Sequence, residues 1–198
     1  MIGFGGLPLT AASRVLIEKE FSMRLETSRL LIRNFVLKDF PSLWKILGDP
    51  VVMAHMASYT EEEAYAFLRA FCVERTPPGA YAAVLREEGT LIGYLLCNQT
   101  DGPGIYELGW IFNRAFWRRG YAHEAVSALI DYLFRVQNAH KVVAETEDTE
   151  RSLPFMEKLG LRREGVFRRH SLGRDGQWRD LYWYGLLENE YASDSIKS

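Results

Sequence analysis

The chain has only two cysteines in 198 residues. Cys72 lies in a helical run and Cys97 in an apolar strand, so they read as buried thiols of a reducing compartment, not as a disulfide or a metal pair. The histidines, His55, His123, His140 and His170, lack mutual metal-ligand spacing, so no metal is expected. No apolar run approaches the length of a membrane span, and the first 21 residues lack the basic start and continuous hydrophobic block of a signal peptide. A cytoplasmic location without a membrane partner is therefore expected. Excess charge is missing too: 24 Lys and Arg against 26 Asp and Glu leave a net charge of −2, and the pI is near 6.1. Nothing global draws this chain to nucleic acid. There is no internal repeat and no low-complexity segment.

What is present is enough apolar residue for one substantial core, 47% of the chain, and a single domain is the default. That domain is expected over residues 23–192, after an extension over 1–22 rich in Gly and small residues and before a short tail over 193–198. Alternation predicts a strand around Leu30 and Ile32. Helices are expected over Asp39 to Leu47 and Thr60 to Val73, the second opened by Thr60 with Glu63 at the capping-box position. A hairpin follows, Tyr81 to Arg86 and Thr90 to Cys97. Then come a strand at Tyr106 to Phe112, a helix at Tyr121 to Val136, a strand at Lys141 to Thr146 and a short helix from Ser152 to Gly160. A closing hairpin pairs Val166 to Leu172 with Trp178 to Leu187. Along the long helix Ala122, Ala125, Val126, Leu129, Ile130 and Leu133 form one apolar stripe that must pack on a sheet. Hairpins flanking a strand-helix-strand-helix unit imply an α/β fold with a mixed sheet.

The most informative stretch is Trp117-Arg118-Arg119-Gly120-Tyr121-Ala122, a Gly-bearing turn between a strand and a helix N-terminus. The free N–H groups of a first helical turn point outward, the helix dipole favours negative charge there, and two guanidinium groups stand beside it. A pyrophosphate fits that description; a solvated basic turn is the plainer alternative.

Four segments together resemble the GNAT acetyltransferases, and within them the branch of the ribosomal-protein N-terminal acetyltransferases RimJ and RimL. They are Leu25 to Arg33; Glu107-Leu108-Gly109-Trp110-Ile111-Phe112 with Trp117 to Ala122; Ser152 with Glu157-Lys158-Leu159-Gly160; and Glu164-Gly165 through Asp175-Gly176-Gln177-Trp178-Arg179-Asp180. The resemblance spans Leu25 to Tyr191. It implies a mostly antiparallel twisted sheet of about seven strands flanked by helices, splayed between the fourth and fifth, Tyr106 to Phe112 and Lys141 to Thr146. It also implies acetyl-CoA as co-substrate and a primary amine as acceptor, either a protein N-terminus or a small molecule, on a monomer or homodimer.

Carried onto this chain, the resemblance assigns the pyrophosphate to Arg118, Arg119, Gly120, Tyr121 and Ala122. The pantetheine amides and the developing oxyanion go to the backbone of Trp110, Ile111 and Phe112. Ser152 matches a serine near the thioester sulfur, where its hydroxyl could donate to the leaving thiolate; an ordinary helix N-cap is the alternative role. Glu107 is the chosen base, against an exposed strand glutamate, with Glu145 as second candidate. Three positions depart from the pattern. Met156 stands where the wider superfamily often has a tyrosine acid, Thr149 where a cofactor-side asparagine is usual, and Ser171 where an acidic residue is frequent. The Met156 departure fits the RimJ/RimL branch and raises the stake on Ser152; those at Thr149 and Ser171 motivate a second reading, an acyl-CoA-binding module without catalysis. A third, nucleic-acid binding through Arg162, Arg163, Arg168 and Arg169, is opposed by the acidic pI; those arginines read as a solvated face that could guide an acidic peptide.

Overall fold

The computed structural model describes residues 23–56, 59–100, 102–173 and 175–194. The extension over 1–22 and the last four positions of the chain lie outside them. Chain order is β1 (Arg24–Glu26), β2 (Leu30–Asn34), a 3-10 turn (Leu37–Asp39), α1 (Phe40–Leu47), α2 (Glu61–Phe67) running into a π-helical turn (Leu68–Val73), β3 (Ala80–Leu85), β4 (Leu91–Gln99) and β5 (Ile105–Phe112). A second 3-10 turn (Arg114–Phe116) leads to α3 (Tyr121–Arg135), then β6 (Lys141–Thr146), α4 (Ser152–Lys158), β7 (Arg162–Leu172), β8 (Trp178–Leu187) and α5 (Glu188–Asp194).

All strands join one sheet in the order β1-β2-β3-β4-β5-β6-β8-β7, eight strands where about seven were expected. The extra strand arises at Thr27. Its N–H donates to the Leu30 carbonyl at 2.9 Å and its hydroxyl accepts from the Leu30 N–H at 2.9 Å. That closed turn breaks Leu25 to Arg33 into a hairpin, pairing Arg24 with Arg33 and Glu26 with Leu31. Every neighbouring pair is antiparallel except β5 and β6. The expected splay is visible in that parallel pair, whose register runs from Ile105 with Lys141 only to Glu107 with Val143. Beyond Glu107 the strands diverge, while β5 stays paired to β4 as far as Phe112.

Helices cover the two faces unequally. The apolar stripe of α3 buries Ala125, Val126, Leu129, Ile130 and Leu133 in one core with Leu30, Ile32, Leu108, Phe112, Val142 and Leu186. On the other face α1 and the π-helical turn after α2 bury Leu43, Ile46 and Leu68 against Ala82, Val84, Tyr94 and Ile111. This second core takes residues from β3, β4 and β5 but none from β6, β7 or β8. The face beside the splay is thus left for a cleft. Strand β3 is buried along its whole length, as a strand packed on both faces must be.

Capping follows the sequence reading at α2, where Thr60 accepts from the Glu63 N–H at 3.2 Å and Glu63 accepts from the Thr60 N–H at 2.8 Å. Gly160, at φ +86° just past α4, supplies the left-handed residue that ends a helix. Two buried acids start helical turns, and each is matched by an arginine. Asp39 takes the Arg33 fork at 2.7 and 2.8 Å and the Val36 N–H at 2.9 Å. Asp148 takes the N–H groups of Glu150 and Arg151 and the Arg151 Nε at 2.7 Å. Burial alone would raise the Asp148 carboxyl, but those bonds outweigh it and hold it below the ordinary range.

Candidate active site

The splay opens into a cavity of about 1050 Å³, at the upper end for small-molecule sites, which run to roughly 1,000 Å³. Its wall runs from the β5 edge through the Trp117 to Ala122 turn and α3 to the start of α4, and closes on His55, Met56 and Ser171.

At one end is the turn expected to cradle an anion. Arg118 has φ +60° and Gly120 φ +80°, both left-handed, with Arg119 between them. Alternation of this kind turns successive N–H groups inward as a nest, here set on the N-terminus of a fifteen-residue helix. Two anchors hold the turn. The Trp117 indole donates to the Phe112 carbonyl at 2.7 Å, and Arg29 donates to the Arg119 carbonyl at 2.9 Å. Arg118, Gly120, Tyr121 and Ala122 border the cavity, whereas Arg119 extends outside that lining, its guanidinium 5.8 Å from the Phe116 ring.

Along the cavity runs the free side of β5. Asn113 donates to the Ile92 carbonyl and Thr100 to the Ile105 carbonyl, so odd-numbered residues of β5 turn their backbone groups toward β4. Even-numbered ones face the splay. Trp110 therefore presents its N–H and C=O, and Phe112 its N–H, to the cavity, the Phe112 carbonyl being taken by Trp117. The backbone of Ile111 points the other way, toward Tyr94, and its side chain contributes wall. Trp110 and Phe155 rings meet at 4.9 Å and His123 stands edge-on to Phe155 at 6.3 Å, walls of an apolar channel.

Ser152 is the first residue of α4, not its cap. Asp148 holds the turn that leads into the helix, as above, and among the described residues the Ser152 hydroxyl makes no hydrogen bond. It borders the cavity. Thr149 does not: it is exposed and lines a smaller cleft with Trp178 and Tyr182.

The opposite end is acidic. Glu107 and Glu145 lie on diverging strands on either side of the splay. Burial, and then the charge of Glu107, raise the Glu145 carboxyl above its ordinary value, with His170 pulling it back. Glu145 thus holds its proton more firmly folded than unfolded, so its contribution to stability grows as pH falls; Asp148, held low, does the opposite. Glu147 supplies a carboxylate that Ser171 lacks. It accepts the Ser171 hydroxyl at 2.7 Å and meets His55 Nδ1 at 3.3 Å, with Arg179 at 3.8 Å. His170, the histidine singled out in the sequence, packs on Phe167 at 5.4 Å; His55, Glu147, His123 and Phe155 are among the lining residues to which the sequence assigned no role in the site. Burial pushes the Cys72 and Cys97 thiols up to about 12, which leaves neither as a thiolate at neutral pH. No helix among the described residues is long and apolar enough to cross a membrane.

With this geometry in hand, the chain can be set beside known proteins. Residues 29–162 match the model of the acetyltransferase (GNAT) domain. The uncharacterized N-acetyltransferase YnaD of Bacillus subtilis is 34% identical over 172 residues, covering 85% of this chain and 99% of that protein. The crystal structure of a GNAT-family acetyltransferase from Bacillus anthracis superposes with a TM-score of 0.77 at 31% identity, over 84% of this chain and 99% of the other. The ribosomal-protein-S5-alanine acetyltransferase of Vibrio fischeri shares the fold, with a TM-score of 0.71 at 16% identity over 84% of this chain and 97% of its own.

Proposed function

We propose, from the premise that the chain belongs to the GNAT acetyltransferase family, that it transfers an acetyl group from acetyl-CoA to a primary amine by direct attack on the thioester. The observation that carries this reading is one cavity that joins an anion nest, an unpaired strand edge, a free serine hydroxyl and two facing glutamates. The residues fit acetyl-CoA in order. The N–H groups of the Arg118 to Ala122 turn, with the Arg118 guanidinium, suit a diphosphate. Trp110 and Phe112 offer N–H and C=O groups to the pantetheine amides along the splay. Bound there, acetyl-CoA supplies an acetyl group on a thioester; transfer forms one C–N bond and breaks one C–S bond.

An amine enters as an ammonium, attracted by Glu107, Glu145 and Glu147, and must lose a proton before it attacks. Glu145, whose carboxyl burial and then the charge of Glu107 raise above its ordinary value, is the acceptor of that proton. The Ser152 Oγ–H donates toward the departing sulfur, whose unperturbed pKa near 8.5 makes a single hydrogen bond adequate. The acceptor is a protein α-amine or a small-molecule amine. The catalytically silent alternative draws no support from the relatives, which are named as acetyltransferases.

Thermal unfolding with and without acetyl-CoA tests the cofactor. Ligand at about a hundred times its dissociation constant stabilises by about 2.7 kcal/mol, which moves the midpoint of a domain this size by roughly 5 to 10 °C. No shift would remove the reading; a shift licenses an amine screen by thiol release. The base is tested by the pH profile. Activity should fall as pH drops through the raised value of Glu145, and Glu145→Gln should flatten that acid limb while leaving CoA binding intact. A limb that survives the substitution moves the role to Glu107.

A further inference from the structure

We propose that Arg29, anchored by Glu124, is a positioning residue that sets the shape of the anion cradle without touching the acetyl donor; this rests on the acetyltransferase reading above. Arg29 follows the closed turn between β1 and β2, far in sequence from the cradle. Its NH1 donates to the Arg119 carbonyl at 2.9 Å, its fork lies 4.3 Å over the Tyr121 ring, and its NH2 sits 3.4 Å from where a Cβ on Gly120 would stand. It therefore holds Arg119 and Tyr121 and flanks the Gly120 between them.

The contact has a directional consequence. In a trans peptide the C=O and N–H point oppositely. An Arg119 carbonyl held by Arg29 turns the N–H of Gly120 away from Arg29, on the residue that borders the cavity. Gly120 and Arg118 are both left-handed, so without that tether the peptide between them has other orientations open to it.

The anchor also has an electrostatic use. Glu124 lies in the first turn of α3, where its charge competes with an incoming anion for the positive end of the helix. Arg29 neutralises it through Nε and NH2, both 2.6 Å from Oε2. Its other oxygen is filled by the Arg29 N–H at 2.9 Å, the Ser28 hydroxyl at 3.0 Å and the Thr27 hydroxyl. Burial would raise the Glu124 carboxyl, but these donors outweigh it and hold it low, so the ion pair persists throughout the neutral range. The β1–β2 turn is thereby bolted to the helix start.

The test uses Arg29→Met, which removes charge and fork, and Arg29→Lys, which keeps a charge for Glu124 but cannot also span to the Arg119 carbonyl. Calorimetric titration with CoA should give a dissociation constant raised about tenfold in Arg29→Met, with Arg29→Lys in between. At saturating acetyl-CoA, kcat should stay within about twofold of wild type, since binding common to ground and transition states is what is lost. With S-acetylpantetheine, which has no diphosphate, kcat/KM should be unchanged in both variants. Wild-type CoA affinity in Arg29→Met, or an equal loss with S-acetylpantetheine, overturns the proposal. Failure of the unmutated protein to bind CoA overturns it together with the reading on which it rests.

Discussion

Replacing Ser152 by alanine is expected to lower kcat by about a hundredfold, the lower range for loss of a positioned proton donor, while the dissociation constant of acetyl-CoA stays near that of the wild type. The expectation rests on what the hydroxyl does not do. A serine that capped α4 would be held by helix N–H groups, and its removal would cost stability. Here Asp148 takes the N–H groups of Glu150 and Arg151 in the turn before the helix, and Ser152 has no protein partner among the described residues. Alanine should therefore leave the unfolding midpoint almost unmoved and act on turnover alone. The neighbouring Met156, buried in the core, cannot donate in its place. Unchanged kcat in Ser152→Ala would take Ser152 out of the mechanism.

Replacing Gly120 by valine is expected to weaken acetyl-CoA binding by more than about a hundredfold, or about 2.7 kcal/mol. Gly120 sits at φ +80°, where an L-residue costs roughly 1–2 kcal/mol and a β-branched one more. A Cβ there would also stand 3.4 Å from the Arg29 guanidinium, and its methyl groups would press on the group that holds the Arg119 carbonyl. Strain and lost binding can be separated by Gly89→Val. Gly89 has a similar φ of +66°, and a Cβ on it would meet nothing within 4 Å. The two variants should lose comparable stability, yet only Gly120→Val should lose the ligand. Equal affinity in both would mean that the turn is a connection and nothing more.

The sequence announced the strands of the centre because their patterns were local. β5, β6 and β8 alternate or run apolar, and the stripe of α3 can be counted from Ala122 to Leu133. It missed the break at Thr27, which depends on a hydroxyl closing on a backbone three residues away and leaves the apolar pattern intact. β7 begins at Arg162, four residues before the expected Val166, because an edge strand exposed along most of its length needs no alternation. The closing helix α5 is held by Tyr191, whose ring stacks on Phe134 at 4.9 Å, a long-range contact with no local pattern. The turn from Arg118 to Ala122 was legible because glycine and helix start adjoin in the chain. The acidic end was legible only in Glu107 and Glu145; Glu147 and His55 come from loops whose composition carries no period, and they meet only through the fold. The serine's place was decided by the turn before it: Asp148 takes the N–H groups of Glu150 and Arg151, and the helix has Arg151 at its cap position, which leaves Ser152 inside the first turn.

The divergence of β5 from β6 divides the sheet into two plates, one of five strands and one of three, that share a few rungs of backbone pairing at one end. A donor lying along Trp110 would supply the rungs that are missing. Loading the enzyme and completing its sheet would then be one event, so part of the affinity for the donor would be a folding free energy, and discharge of the product would reopen a gap that the chain's own strands do not close.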